Sequence, residues 1–260
     1  REFRDEYIVI GAHFDHIGMG GPGSGSRKPE ADQIHPGADD NASGTAGLLE
    51  LAQKLSANVN QLKRSFLLVG FDAEEKGLLG SKHFIEHSPI EIKNIATMIN
   101  MDMIGRMSDS SFTVGGVGTS PSFKHLIDSL KQGRFFNLIM NNSGFGPSDH
   151  ASFYTKDIPV LFFFSGVHDD YHTPNDTWHL INLRGEKHIL DFIYDVVLNL
   201  ARTPDKPAFQ ESGPKKSQMG SPKKFTVTFG IMPSYVSTEK GLKVDGISRS
   251  DGPAAKAGIK

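Results

Sequence analysis

YIVIGAHFDH, residues 7–16, sets the reading of this chain. YIVIGA (7–12) is β-rich, a short strand, and it runs directly into His13, Asp15 and His16. The arrangement recurs downstream. SFLLVGF (65–71) has the composition of a buried strand and is followed by DAEE (72–75). The apolar run 95–103 carries Asp102 near its end, and VLFFF (160–164) is a further strand. Between these runs, residues 43–55 place Leu48, Leu51, Ala52 and Leu55 at helical spacing. Helices are also predicted over 80–87, stopped by Pro89, over 122–131, and over 186–201 with Ile189, Ile193, Val197 and Leu200 along one side. Apolar strands alternating with helices predict an α/β fold with a mixed, mainly parallel central sheet flanked by helices. The ionisable residues sit just beyond the strands, where open α/β sheets bind ligands.

Composition narrows the chemistry. The 260 residues suffice for one α/β domain and a smaller piece. Lys and Arg number 28 against 30 Asp and Glu, so no basic excess points to nucleic acid or an anionic membrane. With no cysteine, disulfides, thiol nucleophiles and Cys-ligated zinc are excluded. No run approaches the roughly 20 apolar residues that span a bilayer, and Glu2, Arg4, Asp5 and Glu6 at the start do not resemble a signal peptide.

Five positions carry the chemistry together: His13 with Asp15, the Asp39-Asp40-Asn41 triplet, Glu74 with Glu75, Asp102, and His172. Singly, each has an ordinary explanation. Asp-Asp-Asn before a helix is a turn with an N-cap, and a Glu pair at a helix start faces solvent and favours the dipole. Jointly, imidazoles and carboxylates at the ends of separate strands make a mixed site suited to zinc or a similar divalent ion. Three carboxylates allow two cations with one carboxylate bridging, while of the adjacent Glu74 and Glu75 one binds metal and the other faces water.

GAHFDH (11–16), PGADDNASG (36–44), FDAEEKGLLGS (71–81), NMDMIG (100–105), GPSDHASF (146–153) and DDYHTPNDT (169–177) occur in this order. Over residues 7–201 the chain thereby resembles the co-catalytic di-zinc aminopeptidases. The resemblance implies their fold, two zinc ions per chain, and peptide substrates with a free N-terminus. It implies that His13 and Asp102 hold one zinc, Glu75 and His172 the other, and that Asp40 bridges them through a cis Asp40–Asn41 segment. Choosing Asp40 rests on counting back from Ala42-Ser43-Gly44, which leaves Asp39 open. Asp15 would orient the His13 imidazole, and Glu74 would be the general base. Some members carry a tyrosine that supports the oxyanion where this chain has Phe145; Tyr171 and His150 are the candidate substitutes. His168 and Asp170 are candidates for shaping the substrate pocket. Many relatives are exported, the location the resemblance implies here.

Residues 203–224 are rich in Pro, Gly, Ser and Lys and read as a linker between a catalytic domain (1–202) and a second module (225–260). In that module FTVTF (225–229), KVDGIS (243–248) and PAAKAG (253–258) resemble the start of a PDZ domain, which implies a peptide or protein ligand held by strand addition. Both the abrupt start and the incomplete module lead to the expectation of a fragment. Two other functions compete: a single-zinc acyltransferase of the glutaminyl cyclase type, and a non-catalytic peptide-binding relative. The complete ligand set disfavours the first, and retention of both Glu74 and Glu75 the second.

Overall fold

The computed structural model describes residues 2–215, 229–233, 244–247 and 252–259. Along the chain run β1 (Phe3–His13), α1 (Gly44–Ala57), β2 (Arg64–Phe71), α2 (Leu79–Glu86), β3 (Ile95–Met101), β4 (Ser111–Gly115), α3 (Pro121–Lys131), β5 (Asn137–Met140), α4 (His150–Tyr154), β6 (Val160–Phe164) and α5 (Leu183–Arg202). Six strands form one sheet in the order β2-β1-β3-β6-β4-β5. Every neighbouring pair is parallel except β4 with β6. The sheet is therefore mixed and mainly parallel.

Side-chain alternation explains how the central strands bury both faces. Ile8 and Ile10 of β1 join Ile99, Met101, Leu161 and Phe163 on one face, packed against α1, α3 and α5. Val9, Met98 and Val160 point to the other, against Phe71, Ile85 of α2 and Phe153 of α4. Helix α5 buries Ile189, Phe192, Ile193, Val196, Val197 and Leu200, a stripe at three- and four-residue spacing. Its Asn182 caps it by accepting the Gly185 amide at 2.9 Å.

Two sequence expectations change. Strand β2 lies at the sheet edge, and Leu68 is 43% exposed, so its apolar run does not mark a fully buried strand. Periodicity cannot separate edge from centre in such a run. Glu74 and Glu75 stand on the turn after β2, held by Gly77 and Leu78 amides donating to the Glu74 carbonyl, rather than at a helix start.

Residues 203–215 lie against the domain. The Pro204 carbonyl accepts from Arg64, Lys206 Nζ donates to the Lys93 carbonyl, and the Ser212 amide donates to Tyr154 Oη. Farther on, β7 (Ile231–Pro233) and β8 (Val244–Ile247) pair antiparallel, and α6 (Pro253–Lys256) is a single turn. Residues 225–228 of the FTVTF run, and residues 216–224 of the expected linker, lie outside the described residues. Among the described residues no helix is long and apolar enough to cross a membrane.

Candidate metal centre

The carboxyl ends of four parallel strands bring the site together. His13 ends β1, Asp102 follows β3, Glu74 and Glu75 follow β2, and His172 lies on the loop after β6. Asp40 arrives from the turn before α1. Asn41 ties these ends to one another: its Nδ2 donates to the carbonyls of His13 (3.3 Å) and Met101 (3.0 Å). Its Oδ1 accepts from the amides of Met103 (3.1 Å) and Gly44 (3.0 Å). The Asp40–Asn41 peptide is cis. Backbone in the left-handed region, which L-residues avoid, occurs at Ala73, Met103 and His172, each at or beside a cluster residue.

Asp39 and Asp40 point to different places. Asp39 Oδ1 accepts from Ser43 Oγ (3.0 Å) and the Gly105 amide (2.7 Å), and its Oδ2 lies 3.2 Å from His168 Nε2. The Asp176 carboxylate accepts the amides of both residues, at 3.0 and 3.1 Å. So held, Asp40 presents Oδ1 to His13 Nε2 at 3.4 Å and Oδ2 to His172 Nε2 at 3.1 Å. Asp40 alone of the two stands between the imidazoles. On one side His13 Nε2 meets Asp102 Oδ1 at 3.3 Å, and on the other His172 Nε2 meets Glu75 Oε2 at 3.2 Å. Ligand atoms of His13, Glu74 and Asp102 all lie within 4.8 Å of one another, and those of His16, Asp40 and Glu75 likewise.

Asp15 acts mainly on the neighbouring turn. Its Oδ1 accepts the Glu74 amide at 2.9 Å and its Oδ2 the Glu75 amide at 3.2 Å. The His13 Nδ1 lies 3.1 Å from the Asp15 main-chain carbonyl and 3.6 Å from its carboxylate. For His172 the corresponding partner is the Gly25 carbonyl, 3.0 Å from Nδ1. Both rings thus turn Nε2 inward, the orientation that outer hydrogen bonds give to ligand histidines.

The electrostatics call for positive charge. Burial alone would lower the imidazoles, yet Asp102 raises His13 far above its ordinary value, and Asp40 and Glu75 raise His172 to about 10. Burial would raise Asp40 and Glu75, but the facing histidines hold both below the usual carboxylate range. For Glu74, burial and then the Asp102 charge push the carboxyl up to about 10. His172 Nε2, Glu75 Oε1 and both ring nitrogens of His16 are buried without a hydrogen-bond partner. Buried nitrogen and oxygen ligand atoms that gather close together without hydrogen-bonding one another fit a divalent-cation site.

Other sequence candidates fall elsewhere. Phe145 packs against the second core cluster. Tyr171 stacks on His172 with ring centroids 3.8 Å apart, beside the cluster. His150 stacks on Phe162 at 4.4 Å, and burial pushes it down to about 3, so it is neutral. Ser148 is fully buried and accepts from Asn100 Nδ2 at 2.8 Å, so its own hydroxyl is not an exposed nucleophile. Asp170 pairs with Arg106 at 2.8 Å, and His83 and His87 stack on each other. One cluster member, His16, was not among the residues singled out as ligands; its signal is the second histidine in HFDH (13–16).

The family model for Peptidase family M28 matches residues 1–197. The chain is 29% identical over 213 residues to the aminopeptidase YwaD of Bacillus subtilis, an alignment covering 78% of this chain and 43% of that protein. Among solved structures it is similar to an aminopeptidase from Aneurinibacillus sp. strain AM-1, with a TM-score of 0.61 and 29% identity over 80% of this chain and 46% of that one. A zinc aminopeptidase from Bacillus subtilis, at 24% identity and a TM-score of 0.63 over 81% of this chain and 50% of that one, shares the fold. The chain spans about half the length of these relatives.

Proposed function

Because this chain belongs to peptidase family M28, we propose that it is the catalytic part of a zinc aminopeptidase that hydrolyses the first peptide bond of substrates with a free N-terminus. The observation that carries this is the placement of Asp40, whose two oxygens face His13 on one side and His172 on the other. His13 and Asp102 would hold one zinc, Glu75 and His172 the other, with Asp40 shared. The electrostatics support two ions. The carboxylates that raise His13 and His172 far above their ordinary values would be offset instead by cations, one at each of the two clusters.

Bound there, zinc would supply Lewis acidity to the scissile carbonyl and lower the pKa of water. The chain's own residues do the rest. With cations offsetting the burial and the Asp102 charge that raise it, Glu74 would ionise, take a proton from the attacking water and return it to the leaving amine nitrogen as the C–N bond breaks. Asp15 fixes where that carboxylate stands, by holding the Glu74 and Glu75 amides. Tyr171, stacked on His172, is the aromatic hydroxyl beside the reacting centre and the candidate support for the oxyanion. A single-zinc acyltransferase would need only one ligand cluster, and two favour the hydrolase. For residues 225–260 the proposal is a peptide-binding module; its support is the resemblance of its sequence together with the antiparallel β7–β8 pair.

Glu74→Gln tests the reading. The variant should retain its zinc and lose about 10²–10⁴-fold in kcat on aminoacyl-p-nitroanilides. N-acetylated substrates should resist the unmodified enzyme. Full turnover by Glu74→Gln would overturn the assignment of the base, and cleavage of blocked substrates the exopeptidase reading.

A further inference from the structure

His16 stands in the second cluster without an assigned part in it. Its side chain is nine-tenths buried, and Nδ1 lies 2.9 Å from Glu75 Oε1 and 3.8 Å from Asp40 Oδ2. At 2.9 Å a ring nitrogen and a carboxylate oxygen normally share a hydrogen bond, yet neither His16 Nδ1 nor Glu75 Oε1 has a hydrogen-bond partner. The two atoms approach each other without pointing at each other. That is the relation of two ligands converging on a third atom. Zinc bonds of about 2.0–2.2 Å at 90–109° set ligand atoms roughly 2.8–3.6 Å apart. The separations of His172 Nε2 from Glu75 Oε2 (3.2 Å) and Asp40 Oδ2 (3.1 Å), and of His13 Nε2 from Asp102 Oδ1 (3.3 Å), fall in the same range.

The ring is seated deliberately close to the main chain. Gly37 has φ 61°, and a Cβ there would lie 2.3 Å from the Asp40 carbonyl oxygen and 2.7 Å from His16 Cγ, so glycine lets both the Asp40 main chain and the imidazole pack against it. A solvent-facing histidine would need no such seat.

We propose that His16 is itself a ligand of the second cation, through Nδ1, so that this ion is held by His16, Asp40, Glu75 and His172. The proposal rests on the two-cation reading above. It makes the two sites unequal. The first has one imidazole, His13, with Asp40 and Asp102, and the second has two imidazoles. Nitrogen-richer sites favour zinc, cobalt and copper, whereas oxygen-richer ones tolerate manganese and magnesium. The first ion should therefore exchange more readily than the second.

The competing role is a positioning one, in which His16 only steadies Glu75 by donating to Oε1. Proton NMR of the metal-stripped chain reloaded with cobalt(II) separates the two. Each coordinated imidazole contributes one strongly shifted, exchangeable N–H signal. Three are expected, from His13, His16 and His172, at two cobalt ions per chain. His16→Ala should show two and bind one of its two ions about 10–100-fold more weakly. Two signals at two cobalt ions in the unmodified chain would overturn the proposal and leave the two-cation reading standing. Failure to bind two cobalt ions would overturn both. If His16→Ala does not fold, the count in the unmodified chain still decides.

Discussion

Asp15 is where the residue scale is most instructive, because its carboxylate holds the Glu74 and Glu75 amides rather than only the His13 ring. Asp15→Asn replaces one acceptor oxygen with an amide that would confront a backbone donor. The turn should loosen, lowering kcat and zinc retention by about 10–100-fold. Assay of zinc remaining after dialysis, beside kcat, checks this, and unchanged values in both would remove Asp15 from the account. His13, Asp40, Glu74, Glu75, Asp102 and His172 were legible as candidates because each sits in a local string of unusual composition, and the structure brings them together. The choice between Asp39 and Asp40 was not legible. It depends on which carboxylate the Asp176 and Ser43 hydrogen bonds turn inward, and those partners lie far away or across the turn. His16 was hidden for a related reason: only the folded chain reveals that Gly37 opens a space for its ring.

Elements are joined at two places that sequence patterning gave no means to weigh. Arg64, at the start of β2, is fully buried. It donates to Glu6 Oε2 and to the carbonyls of Leu200, Thr203 and Pro204, fastening the edge strand to the last turn of α5 and the chain beyond. Arg64→Met keeps the bulk but strands those acceptors, so stability should fall by about 3 kcal/mol or more in urea titration. A loss under about 1 kcal/mol would mean that water takes over the carbonyls. Glu186, in the first turn of α5, is buried, and burial followed by the Asp39 charge pushes its carboxyl up to about 7. The folded state then binds the proton more tightly than the unfolded chain. Its contribution is full below about pH 4.5 and disappears as pH rises through about 7. Glu186→Gln should therefore be more stable than the parent at pH 8, by about 1–2 kcal/mol, and close to it at pH 5. Equal gains at both pH values would contradict the ionisation argument. Long apolar strands such as β3 and β6 and the stripe of α5 were readable by period. The short strands β4 and β5, of five and four residues, were not, because Ser, Gly and Asn around them give no sustained alternation.

At the scale of the whole molecule, the candidate centre draws on residues from His13 to His172 and exists only when four parallel strands end side by side. The alternation of strands and helices made this sheet, and the placement of a site at its carboxyl edge, legible without coordinates. The antiparallel entry of β4 beside β6 was not, since pairing direction depends on contacts that a linear pattern does not contain. Binding of cations to the folded chain alone must add to its stability, by about 2.7 kcal/mol for an ion at one hundred times its dissociation constant. The central claim is that this edge is built for two ions sharing Asp40. It is tested most directly by elemental analysis of zinc per chain after dialysis against low free zinc, run beside aminoacyl-p-nitroanilide hydrolysis. The expected result is about two zinc ions per chain, with a chelator removing both metal and activity. One ion per chain, or turnover that survives complete loss of metal, would contradict it.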